Sequence, residues 1–157
     1  MKNENMYDVM IAGAGPAGLT AAIYLARACY RVLVVEKEKI GGQITITEEV
    51  VNYPGIEKTD GKSLTAAMYR QAKNFGAEFL MAEVEKLDVD GEYKIVHTNK
   101  GDFSCYGILL ATGAHPRMIG FEGEKRFKGR GVAYCATCDG EFFTGKEIFV
   151  VGGGYAA

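Results

Sequence analysis

The sequence predicts an α/β protein with a βαβ core and an inserted antiparallel β-meander. Short, nearly continuous apolar runs at 7–12 and 32–36 are typical of strands covered on both faces, and a helical pattern separates them. Strand, helix and strand in this order form a βαβ unit. Farther along, β-favouring segments at 79–87, 93–98 and 103–110 are divided by the turn residues of hairpins. These segments predict the meander.

A glycine-rich turn joins the first strand to its helix. It reads Gly13-Ala14-Gly15-Pro16-Ala17-Gly18, and residues 19–30 carry the helical pattern. In Gly-x-Gly-x-x-Gly, the first glycine permits a tight turn and the second lets the backbone approach a pyrophosphate. The third allows the helix to pack closely on the strand. Glu36 ends the second strand, where an acid binds ribose hydroxyls, so the pattern predicts a dinucleotide site at the helix N-terminus.

The segment between the second strand and the next helix, residues 37–55, has little periodicity. We interpret it as a long ordered loop, which in a compact domain is usually functional. A second helix is predicted at 63–75, with Gly76 at its C-terminal cap. The meander then returns through Ala111-Thr112-Gly113. Since NAD-binding domains usually continue as βαβαβ, this return resembles the FAD domains of flavoproteins that bind two dinucleotides.

After the meander, a charged stretch with scattered glycines replaces the alternating strand pattern. We therefore predict a domain boundary near residue 117. The predicted domains are therefore 1–117 and 118–157. Residues 148–151 form another apolar run that predicts a buried strand, and it leads into Gly152-Gly153-Gly154. This repeat of strand and glycine-rich turn predicts the start of a second dinucleotide-binding domain.

Charge and hydropathy exclude several classes of partner. The formal net charge is −2, so no basic excess indicates binding to nucleic acid or to an anionic membrane. No apolar run reaches the length of a membrane span, and the N-terminal residues do not form a signal peptide. These observations predict a cytoplasmic protein.

Two of the four cysteines form a Cys-x-x-Cys pair, Cys135 and Cys138. Cys29 and Cys105 are interpreted as small apolar residues. Zinc requires four ligands, and the remaining cysteines and histidines form no second close pair, so no metal site is predicted. A redox pair fits better, because a helix N-terminus stabilises a thiolate. Asp139 follows the pair directly and is suited to relay a proton.

Several segments resemble the low-molecular-weight, bacterial-type thioredoxin reductases. They are GAGPAGLTAAIYLAR, Gly41-Gly42-Gln43 with Asn52-Tyr53-Pro54-Gly55, ATGA at 111–114, and GRGVAYCATCDG at 129–140. CATCDG is highly specific, and the others are moderately so. The resemblance extends over essentially the whole chain but matches only the N-terminal part of a longer subunit. We therefore expect a fragment with an incomplete Rossmann-like FAD domain and a truncated NADPH domain.

The resemblance implies a homodimeric flavoprotein disulfide oxidoreductase. Electrons pass from NADPH through FAD and the Cys135–Cys138 disulfide to thioredoxin or a similar small dithiol protein. By analogy, Cys138 lies nearer the flavin, Cys135 attacks the substrate disulfide, and Asp139 is the acid/base. The implied cofactor-binding residues are Gly13, Ala14, Gly15, Pro16, Ala17, Gly18, Glu36, Lys37, Gly41, Gly42, Gln43, Asn52, Ala111, Thr112, Gly113, Gly152, Gly153 and Gly154.

Alternatives to this function stay open. The second glycine-rich turn has Ala156 where the family usually has serine. NADH or ferredoxin is therefore an alternative electron donor. Another alternative is an FAD-binding fragment without turnover. A third is the flavoprotein reductase of hydroperoxide systems, which shares this core and adds an N-terminal disulfide domain.

Overall fold

The computed structural model describes residues 5–154, apart from the side chains of residues 137 and 138. It divides into two compact units, Met1–Gly113 (the first unit) and Ala114–Ala157 (the second unit). None of the helices in the described part of the chain has the length and hydropathy needed to cross a membrane.

The first unit is built on one six-stranded sheet. Its elements are β1 (Met6–Ala12), α1 (Pro16–Arg27), β2 (Val32–Glu36), a 3₁₀ turn (Gln43–Ile46), α2 (Gly61–Asn74), β3 (Glu78–Met81), β4 (Val84–Asp88), β5 (Lys94–Thr98) and β6 (Gly101–Leu110). The strand order is β3-β2-β1-β6-β5-β4. The four strands β3, β2, β1 and β6 run parallel, and β4, β5 and β6 form an antiparallel meander. The α/β class with its meander is confirmed.

One predicted strand is wrong. Residues 79–87 form two strands rather than the first strand of the meander, because the chain changes neighbours at Ala82 and Glu83. The Ala82 N–H donates to the Glu36 carbonyl on β2, and the Glu83 N–H donates to the Asn99 side chain. β3 therefore extends the parallel sheet, and the chain completes βαβαβ before the meander begins.

Alternation along the strands divides the buried residues into two clusters, one on each face of the sheet. On β1, Ile11 belongs to the cluster that contains Leu19 of α1 and Leu64 of α2, whereas Met10 belongs to the opposite cluster with Cys105. α1 begins at Pro16 rather than at residue 19, since proline at the first helical position loses no backbone bond.

Cys105 is buried, as expected for a small apolar residue, but the same prediction for Cys29 is wrong. Cys29 is exposed and has φ +66°. It lies directly after Ala28, the C-cap of α1, where the chain turns into the left-handed region to leave the helix. Its position is therefore set by the turn and not by packing.

The second unit contains α3 (Glu124–Phe127), α4 (Ala136–Asp139) and a 3₁₀ turn (Gly140–Phe143). The strand predicted at 148–151 is absent from the described structure, and Phe149 is 91% exposed. An isolated bridge between Lys128 and Val132 is the one β pairing among this unit's described residues. Because a strand needs neighbours to satisfy its backbone, the apolar run at 148–151 forms no strand without a partner.

Candidate functional site

The glycine-rich turn between β1 and α1 is closely packed at its first and third glycines. Gly13 has φ +105°, and a Cβ there would overlap the carbonyl of Ala111. A Cβ on Gly18 would overlap the carbonyl of Gly13. These glycines let the turn lie against the end of β6 and let α1 pack on β1, as the sequence motif predicts.

The middle glycine differs from the other two. Gly15 is the N-cap of α1 with φ −75°, and a Cβ there would meet nothing within 4 Å. No side chain caps the helix at this end. The first N–H groups of a helix have no intrahelical partner. The protein packing around a Cβ therefore does not require glycine at this position.

The loop after β2 lies beside this turn. The Gly41 N–H donates to the Ala14 carbonyl at 2.8 Å, and a Cβ on Gly42 would lie 3.1 Å from the Cα of Gly15. Gly41 and Gly42 both have positive φ. The predicted ordered loop is thus present and borders the open side of the glycine-rich turn. Gln43 begins the 3₁₀ turn that follows, and Asn52 is exposed farther along the same loop.

Sequence reasoning missed the residues that hold this loop. A Cβ on Gly41 would contact Thr45 and Thr65, and a Cβ on Gly61 would overlap the carbonyl of Ile44. The Thr65 hydroxyl donates to the Gly61 carbonyl at 2.7 Å and is buried. The start of α2 therefore supports the loop. Gly61, placed directly after the N-cap Asp60, was the available signal in the sequence.

Glu36 lies at the end of β2 with both carboxylate oxygens on backbone N–H groups. Oε2 accepts from Ala14 at 2.8 Å, and Oε1 accepts from Glu38 at 2.9 Å. Each carboxylate oxygen has a second lone pair, so the group can still accept hydroxyl donors. Its neighbour Lys37 is exposed and forms an ion pair with Glu83 at 2.6 Å.

The Ala111-Thr112-Gly113 segment completes this edge of the sheet. The Ala111 N–H donates to the Ala12 carbonyl at 2.8 Å, and Thr112 and Gly113 are exposed. The carboxyl ends of β1, β2 and β6 therefore bring together the glycine-rich turn, Glu36 and this segment. In open α/β sheets this edge is where ligands bind.

In the second unit, Cys135 is disulfide-bonded, whereas Cys29 and Cys105 carry free thiols. Cys135 is the N-cap of α4, and its carbonyl accepts the Asp139 N–H at 3.0 Å. Burial raises the pKa of the Cys105 thiol, which makes it a poor nucleophile. The Cys138 side chain lies outside the described residues, so its pairing with Cys135 stays a prediction.

Sequence reasoning missed a buried carboxylate that is hydrogen-bonded to Tyr134, the residue before Cys135. Glu124 is 2% exposed. Its carboxylate accepts the Ile119 N–H at 3.0 Å, the Gly120 N–H at 2.6 Å and the Tyr134 hydroxyl at 2.7 Å. The Tyr134 bond, followed by the backbone bonds, lowers the pKa of Glu124. Glu124 belongs to a charged, glycine-dotted stretch that gives no periodic signal.

The second glycine-rich turn lacks the close packing seen at the first and third glycines of the first turn. Gly152, Gly153 and Gly154 are exposed, and a Cβ on Gly153 or Gly154 would meet nothing within 4 Å. No described strand precedes them. The structure thus brings together the predicted residues around the first turn. At the second turn the predicted strand-and-turn motif is not formed among the described residues.

Comparison of the chain with known families shows to which proteins it is similar. The model of the pyridine nucleotide-disulphide oxidoreductase family matches residues 7–157. The chain belongs to this family. A curated thioredoxin reductase of Peptoclostridium acidaminophilum is 49% identical over 155 residues, which are 98% of this chain and 49% of that protein. The chain thus spans about half the length of the curated relatives it matches.

Solved structures of family members have the same fold. The crystal structure of thioredoxin reductase from Streptococcus pyogenes has a TM-score of 0.82 and 40% identity, over 90% of this chain and 46% of that one. A ferredoxin-flavin thioredoxin reductase from Clostridium acetobutylicum has a TM-score of 0.66 and 29% identity, over 88% of this chain and 48% of that one. The chain is therefore similar to family members whose names differ in the electron donor.

Proposed function

We propose that this chain provides the FAD-binding and redox-disulfide part of a thioredoxin reductase, an enzyme that reduces thioredoxin or a similar small dithiol protein. The observation that carries the proposal is the state of the cysteines. Cys135 is disulfide-bonded next to a helix start, while Cys29 and Cys105 are free. A cytoplasmic homodimer belongs to the same proposal and is supported by the family resemblance.

The residues at the carboxyl edge of the sheet fit FAD. The open space at Gly15 and the uncapped start of α1 suit a pyrophosphate, because helix N-termini bind anions. The Glu36 carboxylate is fixed by the Ala14 N–H and retains acceptor capacity for ribose hydroxyls. Gly42 keeps the facing loop free of a side chain where it approaches Gly15. When bound, FAD supplies the two-electron chemistry between a hydride donor and a disulfide.

The cysteine pair carries the exchange with the substrate. In the reduced pair, the Cys135 thiolate attacks one sulfur of the substrate disulfide, and one substrate thiolate leaves. The Cys138 thiolate then attacks the Cys135 sulfur, which releases the second substrate thiolate and re-forms the Cys135–Cys138 disulfide. Two electrons have moved from the pair to the substrate. We assign to Asp139 the delivery of a proton to a departing thiolate.

We favour NADPH as the electron donor. Gly152, Gly153 and Gly154 permit close approach of a phosphate, and the loss of one serine hydroxyl costs only about 1 kcal/mol. Ferredoxin is the second candidate, because Ala156 departs from the usual turn and one structural relative carries ferredoxin in its name. Anaerobic titration of the flavin-loaded protein with NADPH, NADH and reduced ferredoxin distinguishes them. Bleaching of the flavin band by ferredoxin alone would exclude NADPH.

The proposed disulfide chemistry is tested on the chain itself by differential alkylation. We expect Cys135 and Cys138 to react only after reduction, and Cys29 to react without it because it is exposed. The reduced chain, freed of reductant, should transfer two electrons to oxidised thioredoxin, measured as new thiols on thioredoxin. Cys135→Ser should abolish the transfer, and the matched variant Cys29→Ser should retain it. Under denaturing conditions, which expose the buried Cys105 thiol, protection of Cys29 or Cys105 that is lifted only by reductant, in place of the pair, would refute the proposal.

A further inference from the structure

The redox function does not by itself account for the buried carboxylate of the second unit. Glu124 is the one buried side chain among the described side chains of residues 114–154. A buried charge is costly unless its hydrogen bonds are satisfied, and here three donors from two segments satisfy it. Two donors belong to the backbone at Ile119 and Gly120, and the third is Tyr134, the residue that precedes Cys135.

The chain between Glu124 and Tyr134 forms a turn that is held by its own backbone hydrogen bonds. The Phe127 carbonyl accepts the N–H groups of Arg130 at 2.8 Å and Val132 at 2.9 Å. The Lys128 ammonium lies 5.6 Å from the centre of the Tyr134 ring, within the range of a cation–π contact. Tyr134 is thus held at its hydroxyl by Glu124 and at its ring by Lys128.

Cys135 is therefore fixed from both directions along the chain. On its N-terminal side, the backbone leads directly from Tyr134. On its C-terminal side, its carbonyl accepts the Asp139 N–H at 3.0 Å and begins α4. A loss of the Tyr134 bond would release one of these two constraints and leave α4 intact.

We propose that Glu124 and Tyr134 are positioning residues for the Cys135 disulfide: their hydrogen bond holds the backbone at Cys135 in the arrangement that favours disulfide formation. The inference rests on the proposed redox function of the pair. Oxidation joins two thiols with loss of two electrons and two protons, and its equilibrium depends on how well the thiols are preorganised. The bond between Glu124 and Tyr134 therefore stabilises the oxidised form.

The test uses Tyr134→Phe, which removes the hydroxyl and keeps the ring over Lys128. Parent and variant are equilibrated with mixtures of reduced and oxidised dithiothreitol, which supply or take up the two electrons. Alkylation and mass spectrometry then give the oxidised fraction. Since one hydrogen bond contributes about 0.5–1.5 kcal/mol, we expect an equilibrium constant for disulfide formation about two- to thirteenfold lower. A tenfold change corresponds to a potential about 30 mV less negative.

Matched variants separate positioning from general loss of structure. Tyr24→Phe removes a hydroxyl from an exposed tyrosine on α1 and should leave the potential unchanged. Glu124→Gln keeps the side-chain size and should shift the potential in the same direction as Tyr134→Phe. Because both act through one bond, the double variant should shift it by less than the sum of the two. Additive shifts would overturn the inference. If Tyr134→Phe alone lowers the melting temperature, the comparison of the double variant with the two single variants still decides the question.

The outcomes distinguish this inference from the function on which it rests. If the parent chain cycles between disulfide and dithiol and Tyr134→Phe has the same potential, the positioning role is wrong and the redox function stands. If the parent chain contains no reducible disulfide at Cys135, the proposed function fails and the positioning role fails with it.

Discussion

The two units of the chain are stabilised by different means. The first unit buries two apolar clusters against opposite faces of a six-stranded sheet. The second unit, among its described side chains, buries a single carboxylate and leaves large apolar residues such as Phe142 and Phe149 exposed. The contrast teaches that hydrophobic burial accounts for the fold of the first unit, whereas a hydrogen-bonded charge organises the second. The two should therefore respond differently to substitution and to pH.

The largest expected effect is on the core of the first unit. Leu19→Ala removes a fully buried side chain that packs between α1 and the sheet. We expect the free energy of unfolding of the first unit to fall by about 2–5 kcal/mol. The matched change in the second unit, Ile148→Ala, alters a residue that is 59% exposed and should change stability by about 0.5 kcal/mol or less. Denaturant unfolding measures both, and equal effects would contradict the comparison.

A second prediction separates ligand approach from packing within the glycine-rich turn. Gly15→Val should lower thermal stability much less than Gly18→Val, because a Cβ at Gly15 meets nothing within 4 Å. It should weaken FAD binding at least tenfold, or about 1.4 kcal/mol, by blocking the pyrophosphate. Fluorescence quenching of FAD on titration with the chain measures the affinity. Gly18→Val is the control, since its side chain would overlap the Gly13 carbonyl and should lower stability. Unchanged FAD binding by Gly15→Val would exclude the assigned site.

Acidification should weaken the second unit through Glu124. Its pKa is lowered in the folded chain, chiefly by the Tyr134 bond, so the ionised form is favoured by folding. The contribution of Glu124 to stability is present above the ordinary glutamate pKa and is lost as pH falls through the lowered folded value. The part of the intrinsic tyrosine fluorescence change that is missing from Tyr134→Phe reports this loss, because the chain has nine tyrosines. Glu124→Gln should remove this part of the pH dependence, and an unchanged acid profile would show that Glu124 does not cause it.

The stability of the meander in the first unit should instead decrease as pH rises through the neutral range. His97 on β5 contacts Asp88 on β4 and Asp102 on β6, each at 2.9 Å, and these bonds raise its pKa. Its contribution is complete below the ordinary histidine pKa and is lost as pH rises through the raised folded value. Because the His97 side chain is partly exposed and both aspartates are more exposed still, solvent screens these pairs and we expect a small effect. Hydrogen exchange across β4 and β5 at increasing pH, with His97→Gln as the control, measures it.

The smallest effect is expected at the ion pair between Lys37 and Glu83. Both side chains are about half exposed, at 59% and 46%. Exposed pairs of this kind contribute little to stability. Lys37→Met should therefore leave the unfolding midpoint unchanged within error. A clear decrease would show that this pair stabilises the junction of β2 and β3, and that charge matters in the first unit as well.

Local patterns in the sequence predicted the parts of the fold that depend on neighbouring residues. The glycine-rich turn, Glu36 and both long helices follow from spacing, capping and periodicity, and the structure has them. The division of 79–87 between two partners was not predictable, because it depends on which distant strands take up the backbone of Ala82 and Glu83. Glu124 was missed for a similar reason. Its partners are two backbone N–H groups and a tyrosine ten residues away, which leave no periodic signal.

The sheet order has a consequence for the order in which the chain folds. β1 lies between β2 and β6, so its second neighbour comes from residues about a hundred positions later in the chain. During synthesis, β1, α1, β2, α2 and β3 can form first, and the free side of β1 stays open until β6 emerges. Long-range pairing of this kind is slow, and an unpaired edge favours aggregation. A nascent chain halted before residue 101 should therefore depend on chaperones, whereas one extended past residue 110 should not.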